Sequence, residues 1–401
     1  MEKNNKNLNV PNLRFPEFSG EWENGTLQSV ATLSKGTGIS KDQLSEEGLP
    51  CILYGELYTK YRSEIIDTII SKTDIDPKKL VRSQSNDVII PCSGESAVDI
   101  ATARCVKQSN ILLGGDLNII RLKGEHDGSF FAYQLNGKRK YDIAKVAQGV
   151  SVVHLYGEHL KGVKVNYPSA AEQKNISSLL ALIDQRIETQ KKVIEKYESL
   201  IRGLITDVNS GRIAQCESIY LRDLLTEQHE KNTNNYDVFS VSVSQGVINQ
   251  IDYMGRSFAA KEVLHYNVVN WGDIVYTKSP TGEFPYGIVK RSDITKPVAV
   301  SPLYGVYRPI NDYVGKYLHL YFKSPINAKN YLHKLIQKGA KNTINITNQR
   351  FLDNKILIPE KGWLEKIVNF AAALEMKITT ENKTLETLQQ QKDYLLSKMF
   401  I

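Results

Sequence analysis

A heptad pattern of apolar residues constrains this sequence more than any other feature. Between residues 172 and 208 it advances in alternating steps of four and three, with Gln190 as a polar interruption and no proline or glycine before Gly203. This pattern predicts a helix of roughly 50 Å that buries one seam against a partner helix. The predicted seam comprises Ile176, Leu180, Ile183, Ile187, Gln190, Ile194, Tyr197, Ile201 and Leu204.

The same register returns near the C-terminal end of the sequence. Glu381 follows Gln190 by 191 positions, and the apolar positions correspond at the same offset. Two such helices can bury both seams by packing on each other, antiparallel or parallel, as a two-stranded coiled coil in which Gln190 and Glu381 would fix the register. We predict the antiparallel coiled coil, which gives a pseudo-twofold arrangement. The alternative is two unrelated helices, each packed on its own domain. The second seam comprises Ile367, Ala371, Leu374, Ile378, Glu381, Leu385, Leu388, Lys392 and Leu395.

Each predicted helix follows a block of short β-like runs separated by Gly, Ser and Asn turns. The first block has runs at 51–54, 64–70, 87–91, 118–122, 152–155 and 163–167, with helices at 129–135 and 139–148. The second has runs at 238–243, 272–276, 286–290, 305–308, 343–346 and 355–359, with helices at 314–322 and 326–337.

The two blocks match each other in element type at offsets between 186 and 191 residues. We therefore predict an α+β fold with an internal pseudo-twofold repeat, in which two mixed β-rich globular domains are each followed by a long helix. The predicted divisions are a tail and docking segment at 1–20, a first domain at 21–168, a central helix at 169–208, a second domain at 209–360 and a C-terminal helix at 361–401.

Composition narrows the class of protein. The net charge of +7 favours an anionic partner. The four cysteines are scattered without metal-binding spacing, the Asn- and Lys-rich N-terminus does not resemble a signal peptide, and no apolar run approaches 18 residues. We expect a cytoplasmic protein with reduced thiols and no metal site.

Motifs for catalysis are absent from the sequence. It contains no phosphate-binding P-loop, no dinucleotide-binding glycine motif, no HExxH and no GxSxG. The seven histidines form no ligand cluster. We therefore expect a non-catalytic binding protein, with an enzyme whose active site escapes motif analysis as a remote alternative.

Unpaired basic residues lie at the same place in both blocks. Between Tyr313 and Leu352 there are seven Lys or Arg residues and no acid, and the equivalent stretch of the first block has four basic residues against Asp142. This pattern predicts contacts with phosphates, although a solvated lysine-rich helix face would look similar. The predicted phosphate contacts are Lys138, Arg139, Lys140, Lys334, Lys338 and Lys341.

Two polar loops also recur in both blocks. Small residues in them permit a close approach of the backbone, and Gln, Asn and Lys can read base edges. Ordinary tight turns are the alternative. The candidate residues are Ser93, Gly94, Gln148, Gly149, Ser151, Lys278, Ser279, Thr281, Lys341, Asn342 and Thr343.

A glycine-containing loop and a tyrosine cluster are weaker candidates. The loop from Lys35 to Lys41, with Ser40, could cradle a phosphate. Among the tyrosines, Tyr58 and Tyr61 are expected to be exposed toward DNA, and Tyr54 to pack on the domain.

These features together resemble the DNA-specificity subunits of type I restriction–modification systems. The resemblance covers essentially the whole chain and includes the segment Leu13–Phe18 with Trp22, the two β-rich blocks, and the heptad helices that open after Pro168 and Pro359. It implies that each block is a target recognition domain that reads one half of a bipartite DNA sequence, and that the paired helices set the unread spacer.

The resemblance also implies partners. These are double-stranded DNA, two adenine methyltransferase subunits docked on the helices, and two restriction subunits in the full complex. S-adenosylmethionine, ATP and Mg²⁺ would belong to those partners, and no cofactor is expected in this chain. The alternative function is a coiled-coil protein-interaction scaffold that does not bind nucleic acid.

Overall fold

The computed structural model describes residues 9–254, 262–338 and 344–401, and the chain divides into two compact units. The first unit comprises residues 1–191 and 383–401, and the second comprises residues 192–382. Each unit therefore contains one half of each long helix. No helix in the described ranges is long and apolar enough to span a membrane.

The first unit is built mainly from short strands. The strands are β1 Glu23–Thr26, β2 Ala31–Lys35, β3 Leu44–Ser45, β4 Leu49–Ile52, β5 Ile65–Ile66, β6 Ser71–Thr73, β7 Val81–Arg82, β8 Asp87–Pro91, β9 Ser93–Gly94, β10 Arg104–Val106, β11 Leu112–Leu113, β12 Leu117–Leu122, β13 Val153–His154 and β14 Lys164–Tyr167. The helices are α1 Leu27–Val30, α2 Glu56–Thr59, α3 Ala97–Ile100, α4 Gly128–Asn136, α5 Lys140–Val146 and α6 Gly157–Lys161, with 3-10 turns at Lys41–Gln43 and Pro77–Lys79.

The central sheet of the first unit has the order β2-β12-β8-β10-β5. Strand β8 is buried at every position, which explains why its sequence, DVIIP, has a continuous apolar run instead of an alternating one. A second five-stranded sheet has the order β3-β6-β4-β11-β7, and β1 pairs antiparallel with β14. Helix α4 covers the central sheet with Phe130, Phe131 and Tyr133, all fully buried.

The second unit repeats this plan. A long helix, α7 Ala170–Asn209, leads into it. Its strands are β15 Cys216–Tyr220, β16 Leu225–Glu227, β17 Phe239–Ser242, β18 Gly246–Asn249, β19 Asn267–Val269, β20 Ile274–Tyr276, β21 Val289–Arg291, β22 Val298–Val300, β23 Gly305–Pro309, β24 Gln337–Lys338, β25 Ile344–Asn345 and β26 Lys355–Pro359. Its helices are a 3-10 turn at Leu221–Asp223 and α8 Gln250–Met254, α9 Asp312–Phe322, α10 Pro325–His333, α11 Asn348–Phe351 and α12 Lys361–Lys398.

Equivalent strands stand in the same order in the two units. The order β16-β23-β20-β21 matches β2-β12-β8-β10, and the pair β15–β26 matches β1–β14. An ion pair to a buried aspartate is repeated as well: Arg121 binds both carboxylate oxygens of Asp87 at 2.8 and 2.9 Å, and Arg308 binds those of Asp273 at 3.0 and 3.3 Å. The predicted α+β fold with two β-rich parts and two long helices is confirmed.

The halves of the long helices pack antiparallel within each unit. In the first unit, Ile176 and Leu180 near the start of α7 share a core with Met399 and Phe400, just beyond the end of α12. In the second unit, the end of α7 packs through Ile201 and neighbouring apolar residues against the start of α12. Within each unit, the start of one helix therefore packs near the end of the other, in agreement with the predicted antiparallel pairing.

The predicted seam is buried unevenly. Its most buried members are Ile176, Leu180, Ile187, Ile201, Ile367, Ala371, Leu374 and Leu388, and its half-buried members are Ile183, Ile194, Tyr197, Leu204, Ile378, Leu385 and Leu395. In the first unit the polar contact between the helices is Lys392 with Asp184, 2.6 Å apart. The proposed role of Gln190 and Glu381 in fixing the register stays a prediction.

Candidate nucleic-acid interface

A groove of about 650 Å³ opens on the surface of the first unit, between loops that are far apart in sequence. Two of the loops that the sequence predicted to read bases meet here, together with helix α2. The lining residues are Tyr54, Gly55, Tyr58, Thr59, Ser93, Gly94, Glu95, Asp99, Ser151 and Val152.

Backbone pairing holds the two loops together. Strand β9 pairs antiparallel with β13, so that Ser93 lies opposite His154 and Gly94 lies opposite Val153. The hydroxyl of Tyr58 donates to the carbonyl oxygen of Ser93 at 3.1 Å. A Cβ on Gly94 would lie 3.0 Å from the Tyr58 hydroxyl oxygen, which is why glycine suits this wall of the groove.

The second loop is the tip of a tight β-hairpin. Gln148 and His154 exchange both backbone hydrogen bonds, at 2.9 and 2.7 Å. Gly149 has a φ of +122°, and a Cβ there would lie 2.1 Å from the carbonyl oxygen of Val152, so only glycine fits. The hairpin therefore presents its tip in a defined conformation, with Val150 almost fully exposed.

Aromatic and polar side chains extend the surface beyond the groove. The ring of His154 stacks on that of Tyr156 with centroids 6.2 Å apart, and the Lys35 ammonium lies 5.6 Å from the Tyr156 ring centroid. The Ser93 hydroxyl lies 3.3 Å from Nδ1 of His154 and 3.4 Å from Asp116. This surface joins Lys35 to the groove. Tyr156 and His154 were not among the predicted site residues.

Two expectations about the tyrosines were wrong. Tyr54, expected to pack, is 38% exposed and lines the groove. Tyr61, expected to be exposed, is buried, and its hydroxyl accepts a hydrogen bond from the backbone N–H of Ile70. Tyr58 is exposed as predicted.

The loop from Lys35 to Lys41 is fixed by contacts within the unit. The backbone N–H groups of Gly36 and Thr37 donate to Leu117 and Leu113, and that of Ser40 donates to the side chain of Gln43. These three groups are therefore not free to cradle a phosphate. The exposed side chains of Lys35, Ser40 and Lys41 stay predicted contacts.

The basic turn between α4 and α5 serves the fold in part. The Arg139 guanidinium donates to Asn166 and to the carbonyl oxygen of Ile401, and it lies 3.5 Å from Asp142. These contacts hold the last residue of the chain against the first unit. Lys138 is exposed and Lys140 is half-buried, and phosphate contact by these three residues stays a prediction.

In the second unit, the structure describes the loop equivalent to residues 91–95, which is residues 277–281. Ser279 and Thr281 are exposed, and Thr281 pairs with Phe284 in a tight turn. Burial lowers the pKa of the half-buried Lys278 ammonium, and the nearby Glu227 opposes this shift.

A ring contact joins this loop to the basic helix. Tyr286, farther along the loop, lies 5.9 Å from the ring of His333, beside the exposed Lys334. Strand β24, which contains Lys338, pairs with β25 as a hairpin. The other predicted contacts in this region, Lys341, Asn342 and Thr343, lie outside the described residues.

Not every basic residue of the second unit is available to an external anion. Lys316 binds Asp312 at 2.7 Å and Lys323 lies 3.3 Å from Glu375. Asp312 and Glu375 both lie outside the stretch from Tyr313 to Leu352, which contains no acid. For this reason the sequence predicted more unpaired basic residues than the structure has. In the parts of the chain that the structure describes, no group of acidic, histidine and cysteine residues is arranged to hold a metal ion.

Each unit also has a groove on its helical layer. In the first unit a groove of about 340 Å³ is lined by Thr387, Gln390, Gln391, Tyr394 and Leu395 of α12, together with Ile183. In the second unit a groove of about 670 Å³ is lined by residues that include Lys196, Ser199, Leu200, Gly203 and Leu204 of α7, together with Phe370. The five α12 residues that line the first groove lie 191 positions after the five named α7 residues of the second, so the grooves occupy equivalent places in the repeat.

Two β-rich units, each with paired helix halves, define a protein built on an internal repeat. The family model of the type I restriction modification DNA specificity domain matches residues 19–198. The predicted resemblance to the type I restriction–modification specificity family is confirmed for this part of the chain.

Solved structures support the same fold over nearly the whole chain. The S subunit of a type I restriction–modification system from M. genitalium is similar at 16% identity and a TM-score of 0.61, with 98% of this chain and 99% of that one covered. A chain from a structural study of the assembly and conformational transition of the type I R-M system is similar at 10% identity and a TM-score of 0.55, with 94% and 97% covered.

Proposed function

We propose that this chain is the sequence-recognition subunit of a type I restriction–modification complex, and that each unit reads one half of a bipartite DNA target. The observation that carries the proposal is the groove of the first unit. There the fold brings together Tyr58 of helix α2, Ser93 and Gly94 of strand β9, and Ser151 of the hairpin, three segments that are separate in the sequence. Their polar groups, beside a hairpin with an exposed tip, suit contact with base edges.

We propose that the repeat-equivalent helical grooves dock two copies of one partner, the methyltransferase subunit. Two sites at corresponding repeat positions suit two copies of the same protein. The two grooves have different lining residues. The groove of the second unit has Leu200 and Gly203 at the positions where the groove of the first unit has Gln391 and Tyr394. The restriction subunits would join this core complex.

A lysine substitution tests the phosphate contacts. Lys334→Ala, in the complex with methyltransferase subunits, is expected to weaken binding to all DNA sequences alike and to reduce the slope of log K against log salt by about one. Fluorescence anisotropy at several salt concentrations measures both. Lys316→Ala is the matched control because that ammonium already binds Asp312. Equal slopes in the wild type and Lys334→Ala would remove this residue from the interface.

Lengthening the helices tests whether they set the spacer. Four residues inserted after Gln190 and four after Glu381 would extend both helices by about 6 Å, or roughly two base pairs. The methylated motif is expected to keep both half-sequences and to gain about two base pairs between them. Sequencing of modified adenines in a host with the variant complex measures this. An insertion of equal length at residues 210–211, beyond the end of α7, is the control.

A scaffold without nucleic-acid binding is the second candidate, and one experiment separates the two functions. The complex with methyltransferase subunits is mixed with genomic DNA fragments at low salt. Retarded fragments that share one bipartite sequence support recognition. A stable complex that shifts no DNA would favour the scaffold.

A further inference from the structure

The tip of the 148–154 hairpin carries two valines that the fold leaves in solvent. Val150 is 97% exposed and Val152 is 54% exposed. A single exposed apolar side chain needs no explanation, but this pair stands on a tip of four residues. The tip is held by the Gln148–His154 hydrogen bonds and by the conformation of Gly149, and Val152 also lines the groove.

We propose that Val150 and Val152 read the methyl group of a thymine in the major groove. This inference rests on the proposed function and specifies the chemistry of one half-site. A two-stranded β-ribbon fits the major groove, and the thymine C5-methyl is the apolar group that a base pair presents there. Rigid valines suit such a contact because they have little side-chain freedom to lose.

The charges around the hairpin favour this orientation. Lys145, in the last turn of α5 just before the hairpin, has a side chain that is 78% exposed and lies 3.8 Å from Asp142. Lys35 lies 5.6 Å from the ring of Tyr156, just after the hairpin. These cations can contact phosphates of the DNA that the hairpin enters.

Acidic side chains mark where base edges would lie. Glu95 and Asp99 line the groove beside Val152, and Asp99 accepts a hydrogen bond from the Ser96 hydroxyl at 2.6 Å. Carboxylates repel phosphates but accept hydrogen bonds from the exocyclic amino groups of cytosine and adenine. Glu95 and Asp99 are therefore inferred to accept a hydrogen bond from an adenine or cytosine next to the thymine.

The second unit provides an internal contrast. The stretch that matches residues 148–152, residues 339–343, reads Gly-Ala-Lys-Asn-Thr and contains no valine. A response to the thymine methyl that depends on Val150 and Val152 is therefore expected in one half-site only.

The test replaces thymine by deoxyuridine, which pairs in the same way but lacks the methyl group. The complex with methyltransferase subunits is bound to its target duplex, with every thymine of both half-sites replaced in turn. One replacement in one half-site is expected to lower affinity about fourfold, as burial of a single methyl group would give. In Val150→Ser or Val152→Ser the same replacement should have no effect. Val243→Ser, at an exposed valine of the second unit, is the control.

The outcomes distinguish this inference from the proposed function. Loss of all preference for the methylated motif over random duplex would overturn both. A normal preference without any response to deoxyuridine would overturn the thymine contact alone. A response that persists unchanged in both valine variants would also overturn it, because the methyl would then be read by other residues.

Discussion

Replacing Lys392 by alanine is expected to lower the free energy of unfolding of the first unit by about 3–5 kcal/mol. The Lys392 ammonium lies 2.6 Å from carboxylate oxygens of both Glu64 and Asp184, and all three side chains are at most 17% exposed. The Tyr133 hydroxyl donates to Asp184 at 2.7 Å. Without the lysine, two buried carboxylates would face each other with no ammonium between them.

The substitution of Lys392 should also change how the free energy of unfolding depends on pH in the acidic range. Burial raises the pKa of Glu64, but Lys392 more than offsets this and holds the pKa below its usual value. A lowered carboxyl pKa stabilises the fold above the pKa of the unfolded chain, and this stabilisation is lost as the pH falls through the folded-state pKa. In Lys392→Ala, the loss of stability that protonation of Glu64 causes in the wild type should therefore be absent.

Urea unfolding of the full chain, monitored at several pH values, measures both effects. Lys161→Ala is the matched control: its ammonium lies 2.6 Å from Glu158, but this carboxylate is 78% exposed, so a change below about 1 kcal/mol is expected. A loss of similar size in both variants would show that the Lys392 cluster contributes no more than a surface pair.

Replacing Lys290 by methionine is expected to stabilise the second unit by about 2–3 kcal/mol at pH 7. Lys290 lies in β21 and is only 4% exposed, and no hydrogen bond or ion pair of its ammonium is found within the described ranges. Burial lowers its pKa from 10.5 to about 8, and Lys323 adds to the shift. This lowering of the Lys290 pKa corresponds to a cost of roughly 3 kcal/mol for the buried ammonium, and methionine fills a similar length without the charge.

The pH dependence has a defined sign. A lysine whose folded pKa is lowered costs stability while it stays protonated, and between pH 8 and 10.5 the unfolded chain binds more protons than the folded one. Wild-type stability should therefore rise over this range relative to Lys290→Met. Denaturant unfolding at pH 7, 9 and 10.5 measures the difference. Lys329→Met, on the exposed face of α10, should leave both the free energy of unfolding and its change with pH as they are in the wild type. A Lys290→Met variant less stable than the wild type at pH 7 would contradict the prediction.

Sequence patterns predicted the helices and strands that are determined by the residues within them. The strands at 87–91 and 355–359 have the predicted bounds because each contains a continuous apolar run, and the heptads predicted α7 and α12. The predicted strand at 64–70 was wrong: only Ile65 and Ile66 are in a strand, while Glu64 turns inward to Lys392. That contact spans 328 positions, and no local pattern reveals it.

The candidate site was predictable to a similar extent. Glycine and small polar residues marked both loops of the groove, but Asp99 and Val152 were missed because only the fold brings them beside Ser93. The helix predicted at 139–148 ends at Val146, and Gln148 begins the hairpin instead. Charge alone could not reveal that Arg139 holds Ile401, because the partner lies at the far end of the chain.

The first unit combines residues 1–191 with residues 383–401. Its fold therefore cannot be completed until the ribosome has synthesised residues 192–382. At ~5–20 residues per second this delay is roughly 10–40 s. During that interval Trp22, Phe130 and Leu180 lack the apolar cover of Met399 and Phe400. The first unit of the nascent chain therefore exposes apolar surface while residues 192–382 are synthesised. A premature stop anywhere before residue 383 leaves this unit without the segment 383–401.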